Sequence, residues 1–110
     1  MEKRAYRRVQ IHLDAEIMSC GKVHKGLIRD VSVEGLGSVL TTRIDVTEKF
    51  SPEQIIWIAF QLPTGKHLSF KCEIRWLFWE DPKHKVLTLG VRIINPPAEY
   101  IQYIHDDVLA

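Results

Sequence analysis

Val9-Gln10-Ile11-His12-Leu13-Asp14-Ala15-Glu16-Ile17 places apolar side chains at every second position with polar ones between them. A period of two buries one face of a β-strand and leaves the other wet, so the stretch predicts a strand with one face in a core. Ser19-Cys20-Gly21-Lys22 follows as a turn, and Val23 to Val31 reads as the returning antiparallel strand. This first hairpin sets the reading of the rest of the chain.

Leu36 to Thr41 reads as a short third strand, and Thr42 to Pro52 as an irregular connection. Ile55 to Leu62 forms a fourth strand that ends at Pro63-Thr64-Gly65-Lys66, a good hairpin turn. The fifth strand carries Leu68, Phe70, Cys72, Ile74, Trp76 and Phe78 on its apolar parity; Arg75, Trp76 and Trp79 are candidates to approach a binding site or a partner, with the parity assigning Trp76 to the core and leaving Trp79 as the better exposed contact. Asp81 to Lys85 turns the chain, and Val86 to Ile94 is a sixth strand with Leu87, Leu89, Val91 and Ile93 inward.

Evenly alternating strands joined by short turns, with no crossover helix, predict an all-β meander closed into a six-stranded antiparallel barrel, which also removes exposed sheet edges. After Asn95-Pro96-Pro97, Ile101, Ile104 and Val108 recur at helical spacing, so Ala98 to Leu109 is expected to be an α-helix packed on the barrel. The chain of 110 residues, 45% hydrophobic, fits one domain: an arm at 1–8, the barrel at 9–94 and the helix at 97–109.

No apolar run approaches the ~20 residues that span a bilayer, and the basic start is not followed by a continuous apolar stretch, so a cytoplasmic protein without membrane insertion is expected. Cys20 and Cys72 are expected as reduced, structural thiols, and the five scattered histidines offer no metal-ligand spacing. No nucleophile elbow or supported carboxylate pair points to an enzyme.

Net charge is +1, yet residues 1 to 8 carry Lys3, Arg4, Arg7 and Arg8 against Glu2, a local +3, which leaves −2 for the remainder. A basic arm on a near-neutral body suits a small, multiply charged anion better than DNA or RNA. Arg4 and Arg8, four apart, offer planar forks for phosphate oxygens and for the O6/N7 edge of guanine. In Arg29-Asp30-Val31-Ser32-Val33-Glu34-Gly35-Leu36-Gly37, Asp30 can accept from base N–H groups, Ser32 offers a hydroxyl, and Gly35 and Gly37 permit positive φ and close approach. On the residues alone, a solvated basic terminus and an ordinary Asp/Ser/Gly turn account for the two stretches equally well.

Together, Arg4-Ala5-Tyr6-Arg7-Arg8 before the first strand and Asp30-Val31-Ser32-Val33-Glu34-Gly35 after the second resemble the paired Arg-x-x-x-Arg and Asp/Asn-x-Ser-x-x-Gly motifs of the bacterial PilZ domain family. Leu89-Gly90-Val91-Arg92-Ile93 is similar to the family's last strand. The resemblance implies a split-barrel receptor for cyclic di-GMP, with no catalysis and no cofactor, that relays binding to a downstream protein partner.

It implies phosphate and guanine contacts from Arg4 and Arg8, with Asp30, Ser32 and Gly35 as the barrel-side surface and Lys3, Arg7 and Gly37 as further contacts. Lys3, just before the arginines, leans towards two ligand molecules per domain. The arm, rich in like charge, is expected to be flexible until ligand pulls it across the barrel. The rival expectation is a PilZ-like protein–protein adaptor that does not respond to nucleotide.

Overall fold

The computed structural model describes residues 8–41, 49–81 and 86–108. Six strands, β1 (Val9–Ser19), β2 (Lys22–Val31), β3 (Gly35–Leu40), β4 (Ile55–Gln61), β5 (His67–Asp81) and β6 (Val86–Ile93), precede a short helix α1 (Ala98–Tyr103). All strand pairings are antiparallel, and the barrel closes in the order β1-β2-β3-β6-β5-β4.

That order departs from a simple meander. Hairpins join β1 to β2, β2 to β3, β4 to β5 and β5 to β6, but β3 pairs with β6, and β4 crosses to the free edge of β1. Alternation says which face of a strand is buried and nothing about which edge it joins, so the switch after Leu40 leaves no trace in the pattern. Two of the hairpins turn where glycine is needed: Gly21 and Gly65 hold φ of 78° and 95°.

The inward parity fills the barrel with Ile17, Ile28, Leu36, Ile58, Ile74, Leu87 and Leu89, all fully buried. Each such side chain contributes about 1.5–3 kcal/mol relative to exposure. Tyr100 of α1 is equally buried, its ring set edge-on against Phe70 at 5.2 Å and Phe60 at 6.5 Å. A helix of six residues is too short to stand on propensity, so α1 is held by the aromatic side chain it drives into the core. The expected continuous α-helix stops at Tyr103, and Ile104–Val108 widens into a π-helical turn.

Two bulges fix what the outer wall displays. Register slips between Ile28 and Asp30 on β2, and between Ile74 and Trp76 on β5. Each slip adds one residue to its strand and shifts the later side chains by one position. Beyond the β5 bulge Leu77 packs on the core while Trp76 and Phe78 face solvent, 45% and 60% exposed. The assignment of Trp76 to the core is thereby reversed, and Phe78 turns outward with it; Trp79 is exposed as expected, although it shares the parity of Leu77 beyond the bulge.

Candidate functional site

Both bulges lie level with one cross-strand pair, Gly37 of β3 opposite Gly90 of β6. Asp30 is the partner of Gly37 on one side and Trp76 the partner of Gly90 on the other. The outer wall therefore has a floor without side chains, bordered by a carboxylate on β2 and an indole on β5.

Asp30 is held in place by Arg8, whose Nη1 donates to Oδ1 at 2.5 Å in a part-buried, charge-assisted bond. The carboxylate rests on Gly37, where a Cβ would stand 2.5 Å from Oδ2. Gly35 lies beneath the same guanidinium: a Cβ there would run into the carbonyl oxygen of Val91 and stand 3.6 Å from Arg8 Nη2. Neither Gly35 nor Gly37 has positive φ, contrary to one of the two uses expected of them; what they supply is the missing side chain. Across the floor the Trp76 indole occupies the space that a Cβ on Gly90 would take.

Ser32 is buried and its hydroxyl is used within the turn, donating to the Gly35 carbonyl at 3.3 Å and accepting from the Gly35 N–H at 3.2 Å. The turn is fastened a second time from below. The Tyr100 hydroxyl donates to the Ser32 carbonyl at 2.7 Å and reaches the Gly35 carbonyl at 3.4 Å. Burial pushes the Tyr100 phenol far above its ordinary range, with Cys72 adding to the rise and Arg8 opposing it, so the group remains an O–H donor. Cys72, inside the barrel, is pushed up to about 12 by burial and stays a neutral thiol.

Ion pairs surround the floor. Arg29 Nη1 meets Glu80 Oε1 at 3.0 Å, a link from β2 to β5 with β3 and β6 between them. Glu73 Oε1 accepts from Arg92 Nε at 3.3 Å and from Arg75 Nη1 at 3.4 Å. A cavity of about 560 Å³, bordered by Asp14, Glu16, Lys25, Thr41, Gln61 and His67, shares no residue with this face.

Of the expected site residues, the structure thus gathers Arg8, Asp30, Ser32, Gly35 and Gly37 in one place. Lys3, Arg4 and Arg7 lie outside the described residues, as does the expected flexibility of the arm. Reading the sequence missed Tyr100 and put Trp76 in the core. A tyrosine four residues before Ile104, on the apolar face of an amphipathic terminal segment, was the available signal for Tyr100. For Trp76 there was none, because a bulge depends on pairing. Among the described residues, no group of three or more His, Cys, Asp or Glu is placed to hold a metal. The chemistry on offer is recognition: forks for an anion, an acceptor for N–H groups, and an exposed indole lying over Gly90 for a ring.

The fold is that of a small, closed, six-stranded antiparallel β-barrel. The PilZ domain family model matches residues 2–109, and the chain belongs to the PilZ domain family. Similar solved structures include Bacillus subtilis inhibitor of motility MotI/DgrA, with a TM-score of 0.73 and 19% identity over 99% of this chain and 53% of that one. The PilZ domain of Escherichia coli YcgR with c-di-GMP matches with a TM-score of 0.73 and 14% identity, covering 94% of this chain and 87% of that one. The PilZ domain of CeSA from a cellulose-synthesizing bacterium gives a TM-score of 0.63 and 13% identity over 94% of this chain and 95% of that one. The chain spans about half the length of MotI/DgrA. Among curated proteins no match to the sequence is found.

Proposed function

We propose that the chain is a bacterial, cytoplasmic receptor for cyclic di-GMP whose outer β2-β3-β6-β5 wall receives the ligand and whose basic arm closes over it. The observation that carries this reading is the Arg8–Asp30 pair standing over Gly35 and Gly37, the described part of both motifs in one place. Asp30 accepts from the N1 and N2 donors of a guanine, and Arg8 gives a phosphate the donors it now directs at Asp30. Arg4 completes the clamp, with Lys3 and Arg7 adding contacts, and a second, stacked ligand molecule is accommodated in the same place.

In this reading Ser32 serves through the turn it braces, and Gly35 and Gly37 allow the ligand to approach the backbone. The arm at 1–8, the barrel at 9–94 and the helix at 97–109 act as one unit that binds without catalysis and passes its state to a protein partner. The chain's structural kinship with c-di-GMP-bound YcgR supports the choice of ligand.

Calorimetric titration with cyclic di-GMP tests the reading. Saturable binding is expected, and Arg4→Ala, Arg8→Ala and Asp30→Ala should each cost roughly 2–3 kcal/mol, about 30- to 150-fold in affinity. Hydrogen exchange in residues 1–9 should slow when ligand is added. Exposed Trp76, Phe78 and Trp79 beside the site favour a second reading, an adaptor that docks a partner without nucleotide. A folded protein that gives no heat with cyclic di-GMP yet binds a partner would establish that reading instead.

A further inference from the structure

Gly35 has a neighbour on β6 as well as Arg8 above it. Its cross-strand partner is Arg92, whose own partner on β5 is Glu73. Partners in an antiparallel pair point to the same face, so Arg92 stands beside Gly35 on the wall that carries the Arg8 guanidinium. Arg75, beside the β5 bulge, turns to the same carboxylate. One oxygen of Glu73 thus collects two guanidinium groups, at 3.3 and 3.4 Å. Charge-assisted N–H···O bonds settle at about 2.7–2.9 Å, so both contacts are loose. The Arg92 and Arg75 side chains are 49% and 62% exposed, and each guanidinium carries five N–H donors of which Glu73 engages one.

We propose that Arg92 and Arg75 form a second phosphate position of this site, occupied without ligand by the Glu73 carboxylate; the proposal rests on the cyclic di-GMP reading above. A phosphodiester presents two non-bridging oxygens sharing one negative charge, the same fork that a carboxylate presents, and can take over the donors that Glu73 holds loosely. Arg8 then serves one phosphate at one side of Gly35 while Arg92 and Arg75 serve another across β6. The second phosphate belongs either to the same cyclic dinucleotide or to a second, stacked molecule. Glu73 acts as a competitor, so removing its charge should strengthen binding while removing either arginine weakens it. A merely structural ion pair would not produce opposite signs.

The test is calorimetry of cyclic di-GMP with the wild-type chain and the Arg92→Ala, Arg92→Lys, Arg75→Ala and Glu73→Gln variants, with thermal melting to verify folding. Arg92→Ala should weaken binding about tenfold, and Arg92→Lys should recover part of the loss. Glu73→Gln should tighten it about two- to fivefold, the scale of an exposed ion pair. A loss of affinity at constant stoichiometry assigns the phosphate to the same molecule; a fall from two ligands to one assigns it to a second. Wild-type binding with Arg92→Ala and Arg75→Ala unchanged in both respects overturns the subsite and spares the receptor reading. Weaker binding by folded Glu73→Gln also overturns it. No binding by the wild type overturns the receptor reading and the subsite together.

Discussion

The two margins of the Gly37–Gly90 floor differ in how they are built. On the β2-β3 margin, Arg8, Asp30, Ser32 and Gly35 are tied to one another through a turn of few residues, with Tyr100 beneath it. On the β6-β5 margin, Trp76, Arg75 and Arg92 owe their positions to strand register and one bulge; Trp76 and Arg92 find their partners on the neighbouring strand, while Arg75 turns to Glu73 of its own strand. The first margin is local and rigid, the second assembled and looser. A turn written in consecutive residues can be recognised as a motif, whereas a wall made by register exists only after the sheet has closed.

If that contrast holds, substitutions at Gly35 and Tyr100, which build the turn of the first margin, should strike the fold, and those on the second margin mainly the ligand. Gly35→Ala is expected to be the most damaging, because its Cβ meets a main-chain carbonyl that cannot rotate away. A loss of about 2–3 kcal/mol in urea denaturation is expected; wild-type stability would show that the wall yields there. Tyr100→Phe keeps the ring and removes the hydroxyl, leaving the Ser32 carbonyl without this donor. About 1–1.5 kcal/mol of stability should go, with faster amide exchange at 32–35; unchanged exchange would mean that the turn does not depend on α1.

Trp76→Ala tests the far margin. Cyclic di-GMP affinity should fall by about 1 kcal/mol, near fivefold, if the indole borders a bound base, while the melting temperature moves little. A large drop in melting temperature with unchanged affinity would make Trp76 a structural residue and dissolve the contrast. Smallest of all, Glu80→Gln should change stability by less than about 0.5 kcal/mol, because the Arg29–Glu80 pair is solvent-exposed. A clear effect in denaturation would show that the link from β2 to β5 braces the wall.

Much of this architecture can be read before folding. The alternation in 9–17 fixes the face of β1, and Gly21 and Gly65 mark hairpins that do require positive φ. Asp30, Ser32 and Gly35 lie close enough in sequence to be read as one turn, and Arg8 is drawn in by charge. What stays hidden depends on distance along the chain. The pairing of β3 with β6, the meeting of Gly37 with Gly90, and the contact of Tyr100 with Ser32 join residues separated by tens of positions. The inner parity of β5 misled beyond Ile74 because Arg75 is an added residue that only the partner strand reveals.

The slip at Arg75 amounts to a half-period change of phase in a wave of alternating side chains. Before it the even-numbered residues of β5 face the core, and after it they face solvent. Deleting Arg75 would close the bulge and join Ile74 directly to Trp76, so Trp76 and Phe78 would keep facing solvent and Leu77 the core, and the solvent-exposed tryptophan emission should persist. One added residue therefore lets a run whose apolar positions are even-numbered serve the core as far as Ile74 and the recognition wall beyond it.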